Sequence, residues 1–187
     1  MFASHSIRGN RPRNLSTYLI AGILVLAAGT GYIYFLKLKD QETVENLSVL
    51  RQHDPVHYLQ EVRIHEGFER YLAEYSATHG YNHFSDEVPD FLLGRWALFQ
   101  QRQRVGYHYI ADDCSTFLGI EDGQIKAVGE VQANYPAQYR ISGSMVEADI
   151  GSGVIVPIEL VSYGLDLHHI VVTLPGHPQP FYGYLCK

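Results

Sequence analysis

Between Asn14 and Leu36 the chain carries no charged side chain, and its inner part, Thr17 to Leu36, reads TYLIAGILVLAAGTGYIYFL. Twenty helical residues rise about 30 Å, the hydrocarbon thickness of a bilayer. The pattern predicts a transmembrane helix over residues 17–36. Tyr18 near one end, and Tyr32 and Tyr34 near the other, sit where interfacial aromatics would. The rival reading is a cleaved signal peptide. Its apolar core would be shorter, with polar sequence after Ala27-Ala28-Gly29, whereas here the chain stays apolar through Phe35 and Leu36.

Residues 38–54 are polar apart from Leu47, Val49 and Leu50. Asp54 is a good N-cap and Pro55 suits a first helical position, so a helix is expected from Pro55 to about Ala77, ended by Thr78-His79-Gly80. Ile64, Phe68, Tyr71, Leu72 and Tyr75 form an apolar stripe on it, which needs a core or a partner to cover it. Residues 79–90 are rich in turn formers and read as a loop.

After Pro89 the period shortens to about two. The expected strands are Trp96–Gln103, Val105–Ile110, Ser115–Ile120, Gln124–Gln132, Gln138–Ile150, Val154–Ser162, Leu165–Leu174 and Phe181–Cys186. Asp122-Gly123 suits the left-handed φ values of a two-residue hairpin turn, and Gly151-Ser152-Gly153 and Pro175-Gly176 mark two more turns. Pro157 suggests an edge or a bulge. No helical period intervenes, so the fold class is mainly β: one transmembrane helix, one amphipathic helix, and a small antiparallel β barrel or strongly curved sheet. The chain divides into a tail (1–16), the transmembrane helix (17–36), a helical connector (37–92) and an antiparallel β domain (93–187). Gly94 and Trp96, spaced Gly-x-Trp at the start of the first strand, resemble the opening of a lipocalin. Only those residues match, and about 95 residues is short for that barrel.

Charge sets the expected topology. Arg8, Arg11 and Arg13 precede the apolar segment with no acidic residue before Asp40; Lys37 and Lys39 follow it, closely trailed by Asp40, Glu42 and Glu45. The positive-inside rule leaves the N-terminus inside and sends the C-terminal domain to a periplasm or intermembrane space. The expected location is a single-pass inner membrane, bacterial or mitochondrial, since the acid-free start containing Arg and Ser also looks like an import signal. A net charge of −6 argues against nucleic acid, which requires a clustered basic face. Aromatics are plentiful, with 14 Tyr, 8 Phe and 1 Trp.

The only cysteines, Cys114 and Cys186, both fall in the β domain. In an oxidising compartment a disulfide between them is expected, fastening the last strand. Two free thiols are the next reading. A Cys114 nucleophile with His108 or His168 as base is disfavoured, because Asp112 and Asp113 would raise the thiol pKa. His57, Glu61 and His65 share a helix face at i, i+4 and i+8, but the outer two lie about 12 Å apart along the axis, too far for one ion. His168-His169 lies within an expected strand, where alternation would send the two side chains to opposite faces. Asp149-Ile-Gly-Ser-Gly153 lacks the Lys and the helix of a phosphate loop, and Gly-x-Ser-x-Gly, His-Glu-x-x-His and Cys-x-x-Cys are missing from the sequence. No cofactor is expected.

These features point to a non-catalytic, membrane-anchored accessory subunit or assembly factor of a larger inner-membrane complex. Its expected partners are the membrane and other membrane-protein subunits. The candidate contact residues are Ile64, Phe68, Tyr71 and Leu72, with Ala27 and Gly31 as a small-xxx-small pair on the anchor. The alternative is a small lipocalin-like barrel holding an apolar ligand such as a lipid or quinone. A continuous cavity inside the sheet would favour the ligand binder and a solid core the scaffold.

Overall fold

A computed structural model describes residues 15–129 and 132–187. The basic tail with Arg8, Arg11 and Arg13 lies outside the described residues, as do positions 130 and 131 of the expected strand Gln124–Gln132. The chain divides into two compact units, Met1–Val49 and Leu50–Lys187, so the second unit takes in the shorter helices together with the sheet.

Helix α1 runs without a break over Leu15–His53, well past the expected end at Leu36. Residues 37–53 offer no glycine or proline to stop it. The helix is long and apolar enough to cross a membrane, as either a single-pass anchor or a signal sequence would be. Leu24 is 63 % exposed and Val25 71 %.

The expected helix from Pro55 is two helices, α2 (Pro55–Glu66) and α3 (Phe68–His79). Its start is as expected: the Asp54 carboxylate accepts from the His57 N–H at 3.0 Å. The break is at Gly67, whose φ of 87° and ψ of 177° suit glycine alone. A Cβ there would meet nothing, so conformation rather than space selects the residue. Helix α3 ends at Gly80 in the left-handed region, and the Tyr81 N–H donates to the Ser76 carbonyl. The break divides the apolar stripe. Phe68, Leu72 and Tyr75 are buried, with the rings of Phe68 and Tyr75 against Phe91, while Ile64 stays 56 % exposed. Helix α2 buries Tyr58, Leu59 and Val62 instead. Arg51 in the last turn of α1 and Arg70 both pair with the buried Glu74, at 3.3 and 2.8 Å.

Nine strands form one sheet: β1 (Gly94–Phe99), β2 (Phe117–Glu121), β3 (Gln124–Val128), β4 (Ala133–Pro136), β5 (Gln138–Ser142), β6 (Met145–Asp149), β7 (Ile155–Tyr163), β8 (Asp166–Val172) and β9 (Phe181–Leu185). The order is β4-β3-β2-β1-β9-β8-β7-β6-β5, and every neighbouring pair is antiparallel. It is a meander whose first and last strands pair, curled into a nearly closed barrel with its gap between β4 and β5. Residues 85–86 staple that gap: Ser85 exchanges two hydrogen bonds with Tyr139 on β5, and the Asp86 carbonyl accepts from Gly123 in the β2–β3 turn.

Four of the expected strands are redrawn, the first of them Trp96–Gln103, which ends at Phe99. Val105–Ile110 is not a strand but part of a loop over residues 100–116. The expected Gln138–Ile150 is the hairpin β5–β6, turned at Gly143-Ser144 with Gly143 at φ 61°. The expected Gln124–Gln132 ends at Val128, and β4 is an additional edge strand. The Asp122-Gly123 hairpin is present with only Gly123 at positive φ; the Asp122 side chain accepts from the Val88 N–H at 2.9 Å. Pro157 lies in an interior strand, paired with Glu147, but one residue beyond the β7–β8 ladder, where no partner asks for its missing N–H.

The inner face of the barrel is filled by side chains, among them Trp96, Leu118, Ile120, Tyr139, Ile158 and Ile170, none more than 3 % exposed. The Trp96 indole N–H donates to the Leu92 carbonyl at 2.9 Å, and the Tyr139 hydroxyl reaches the Glu121 and Gln124 carbonyls at 2.8 Å, so both polar tips are satisfied. Gly183 makes room for this packing: a Cβ there would lie 2.6 Å from Ile170 Cγ1 and 3.3 Å from Trp96 Cβ. Gly183→Ala should cost about 2 kcal/mol of stability by overpacking. Urea melts would check this, and an unchanged midpoint would contradict it.

Candidate functional site

A second core lies on the outer face of the sheet. Ala97, Ala111 and Tyr184 are buried there, with Phe99, Val105, Tyr109, Cys114, Tyr182 and Cys186 packed around them. Its cover is the loop of residues 100–116. A hydrogen bond and a cysteine pair tie the loop to the end of β9. The Ala111 N–H donates to the Leu185 carbonyl at 2.8 Å. The sulfurs of Cys114 and Cys186 are 2.09 Å apart with Cα atoms 6.2 Å apart, within disulfide-bonding distance. The expected pair thus stands at disulfide distance, joining the loop as well as the last strand.

Beside this core the β7–β8 ladder slips by one residue. Val161 faces His169, while Ser162 faces Leu167 rather than His168. The extra residue makes a bulge, and a bulge cancels the alternation of a regular strand. His168 and His169 therefore do not point to opposite faces, as expected from the sequence. Their Nδ1 atoms are 2.8 Å apart, and both rings are buried under the loop. Tyr184 stacks on His169 with ring centres 5.2 Å apart, Tyr182 flanks it, and Tyr163 packs edge-on against His168. Arg102 hydrogen-bonds the Tyr163 hydroxyl. The Gln103 N–H donates to the Tyr184 hydroxyl at 3.0 Å.

For two neutral rings these contacts select one tautomer of each. His168 Nε2 faces the Gly106 carbonyl at 3.1 Å, so it carries the proton and leaves Nδ1 as an acceptor. The proton between the rings then belongs to His169 Nδ1. Burial holds His169 down to a pKa of about 4, with smaller contributions from His168 and the Arg102 charge. It is a neutral imidazole at pH 7. Burial also pushes the Tyr184 phenol upward.

The residues expected to carry contacts are placed differently. Phe68 and Leu72 are spent on the chain's own fold and are withdrawn from a partner surface. Tyr71 is half-buried between Phe68 and Phe91 under the Arg63 guanidinium, and Ile64 is exposed. Ala27 and Gly31 lie exposed on α1, with nothing within 4 Å of a Cβ built at Gly31. Glu61 reaches both His57, at 3.8 Å, and His65, at 3.2 Å, on the outer side of α2. Among the described residues no group of three or more His, Cys, Asp or Glu side chains is arranged to hold a metal ion. A pocket of about 370 Å³ opens at one end of the barrel, between Leu98, Thr116, Ala127, Leu174, His177 and Phe181.

The histidine pair escaped the sequence reading because nothing in the residue string marks the bulge. The one available signal was the tyrosines of Phe181-Tyr-Gly-Tyr-Leu185, which face the pair from β9. No protein-family model, curated protein or solved structure matches this chain.

Proposed function

We propose that the chain is a non-catalytic, membrane-anchored accessory subunit or assembly factor of a larger inner-membrane complex. Helix α1 is its anchor, its N-terminus lies inside, and the β domain makes the contacts on the other side. The observation that carries this reading is the filled barrel. Trp96, Leu118, Tyr139 and Ile170 occupy the space in which a lipocalin-like barrel would hold its ligand, so recognition falls to the outer surface. Of the expected helix-stripe residues, Ile64 on α2 is the one that stays exposed there.

The test is native electrophoresis of the full-length protein, extracted from its source membrane in mild detergent. The expected wild-type result is a band well above the monomer. Ile64→Asp should shift the protein to the monomer position with an unchanged circular dichroism spectrum. A wild-type monomer carrying a bound small molecule would instead favour the second reading, a binder of an apolar ligand. The mouth pocket, with Leu98, Leu174 and Phe181 on its walls, supports that alternative.

A further inference from the structure

We propose that His168 and His169 form a binding site for a soft monovalent metal ion, copper(I), held between their two Nδ1 atoms. The site is independent of the accessory-subunit reading. Three observations converge on it. The bulge turns two consecutive imidazoles onto one face and brings their Nδ1 atoms to 2.8 Å. The Gly106 carbonyl holds His168 by Nε2, as a backbone carbonyl commonly orients a metal-ligating histidine, and so leaves the Nδ1 lone pair free of a proton. Both rings are buried among Tyr163, Tyr182 and Tyr184, which keep water from the nitrogens.

The ligand count selects the ion. Zinc takes four ligands, and among the described residues no third His, Cys, Asp or Glu joins the pair. Copper(I) accepts two imidazoles in a line. At about 2.0 Å per metal–imidazole bond the nitrogens would stand roughly 4 Å apart, so the pair opens by about 1.2 Å. Binding needs no net proton release: the proton on His169 Nδ1 moves to its own Nε2, and both Nδ1 lone pairs then face the metal. The Arg102 charge, which opposes a cation here, is engaged on the Tyr163 hydroxyl and ring.

The probe is copper(I) itself. Full-length protein with its disulfide intact is titrated anaerobically into the coloured copper(I)–bicinchoninate complex. Transfer of one equivalent is expected. His168→Phe and His169→Phe, which keep an aromatic ring in the cluster, should each weaken transfer by about 100-fold or more, and His57→Ala should leave it unchanged. Full transfer to the double phenylalanine variant would overturn the assignment, as would zinc(II) binding as tightly as copper(I). Where a variant does not fold, X-ray absorption of the copper-loaded wild type decides. Two nitrogen neighbours support the site; three or more ligands, or any sulfur, overturn it.

Discussion

Reducing the bond between Cys114 and Cys186 is expected to lower the stability of the β domain by about 4 kcal/mol. The two residues are 72 positions apart, and on the chain-entropy model a closed loop of that length restricts the unfolded chain by about that amount. The effect on the native side should be local. The loop of residues 100–116 loses its covalent tie, and the Ala111–Leu185 hydrogen bond and the ion pair of Asp112 with Lys187 remain to hold it. Urea melts of the wild type and of the Cys114→Ser/Cys186→Ser double variant measure the difference. Hydrogen exchange should show lost protection concentrated at Ala111 and Cys186. A difference below about 1 kcal/mol would show that the unfolded chain is already restricted in some other way.

Acid should destabilise the metal-free protein through His169. Its pKa lies at about 4 in the fold, against 6.5 for an unperturbed imidazole. Above pH 6.5 both states are neutral at this position and the full stability is present. As the pH falls below that value the unfolded chain takes up a proton that the folded one refuses, so stability declines until the folded imidazole also titrates, near pH 4. The loss should approach about 3 kcal/mol over that window. Carboxylates titrate in the same range, so the comparison is with His169→Phe, which keeps the stacking on Tyr184 but has no proton to bind. The wild-type melting curve should fall more steeply than the variant's between pH 7 and pH 4.5. Parallel curves would mean that the folded chain binds this proton as readily as the unfolded one.

Where the sequence spoke through periodicity it was clear. The apolar run of α1, the Asp54-Pro55 helix start and the alternation of Val156, Ile158 and Leu160 on β7 all appear in the fold as side-chain pattern implies. Errors gathered where backbone conformation overrode that pattern. The stripe from Ile64 to Tyr75 is continuous in spacing, yet Gly67 breaks it, because a glycine between two good helical segments can leave the helix at little steric cost. Gly143 turns what reads as one long strand into a hairpin. Val105–Ile110 alternates like a strand because its Val105 and Tyr109 pack onto the outer core, although it pairs with no ladder. The site was the least legible part. Its chemistry depends on a one-residue slip between β7 and β8, and both registers are compatible with the same residue string.

That slip also gives the site a simple genetic description. Upstream of the bulge Leu167 pairs with Ser162, and downstream His169 pairs with Val161. Removing a single codon, either histidine's, would leave these pairings intact and join them into an uninterrupted ladder. The surviving imidazole would still pair with Val161, and Leu167 with Ser162. The β7–β8 register is thus kept by a deletion that abolishes the pair, whereas removing a neighbour such as Ile170 would invert the facing of everything beyond it. The histidine pair behaves as a one-residue insertion carried by the scaffold, and in any lineage of such chains it could be gained or lost in one step without refolding the domain.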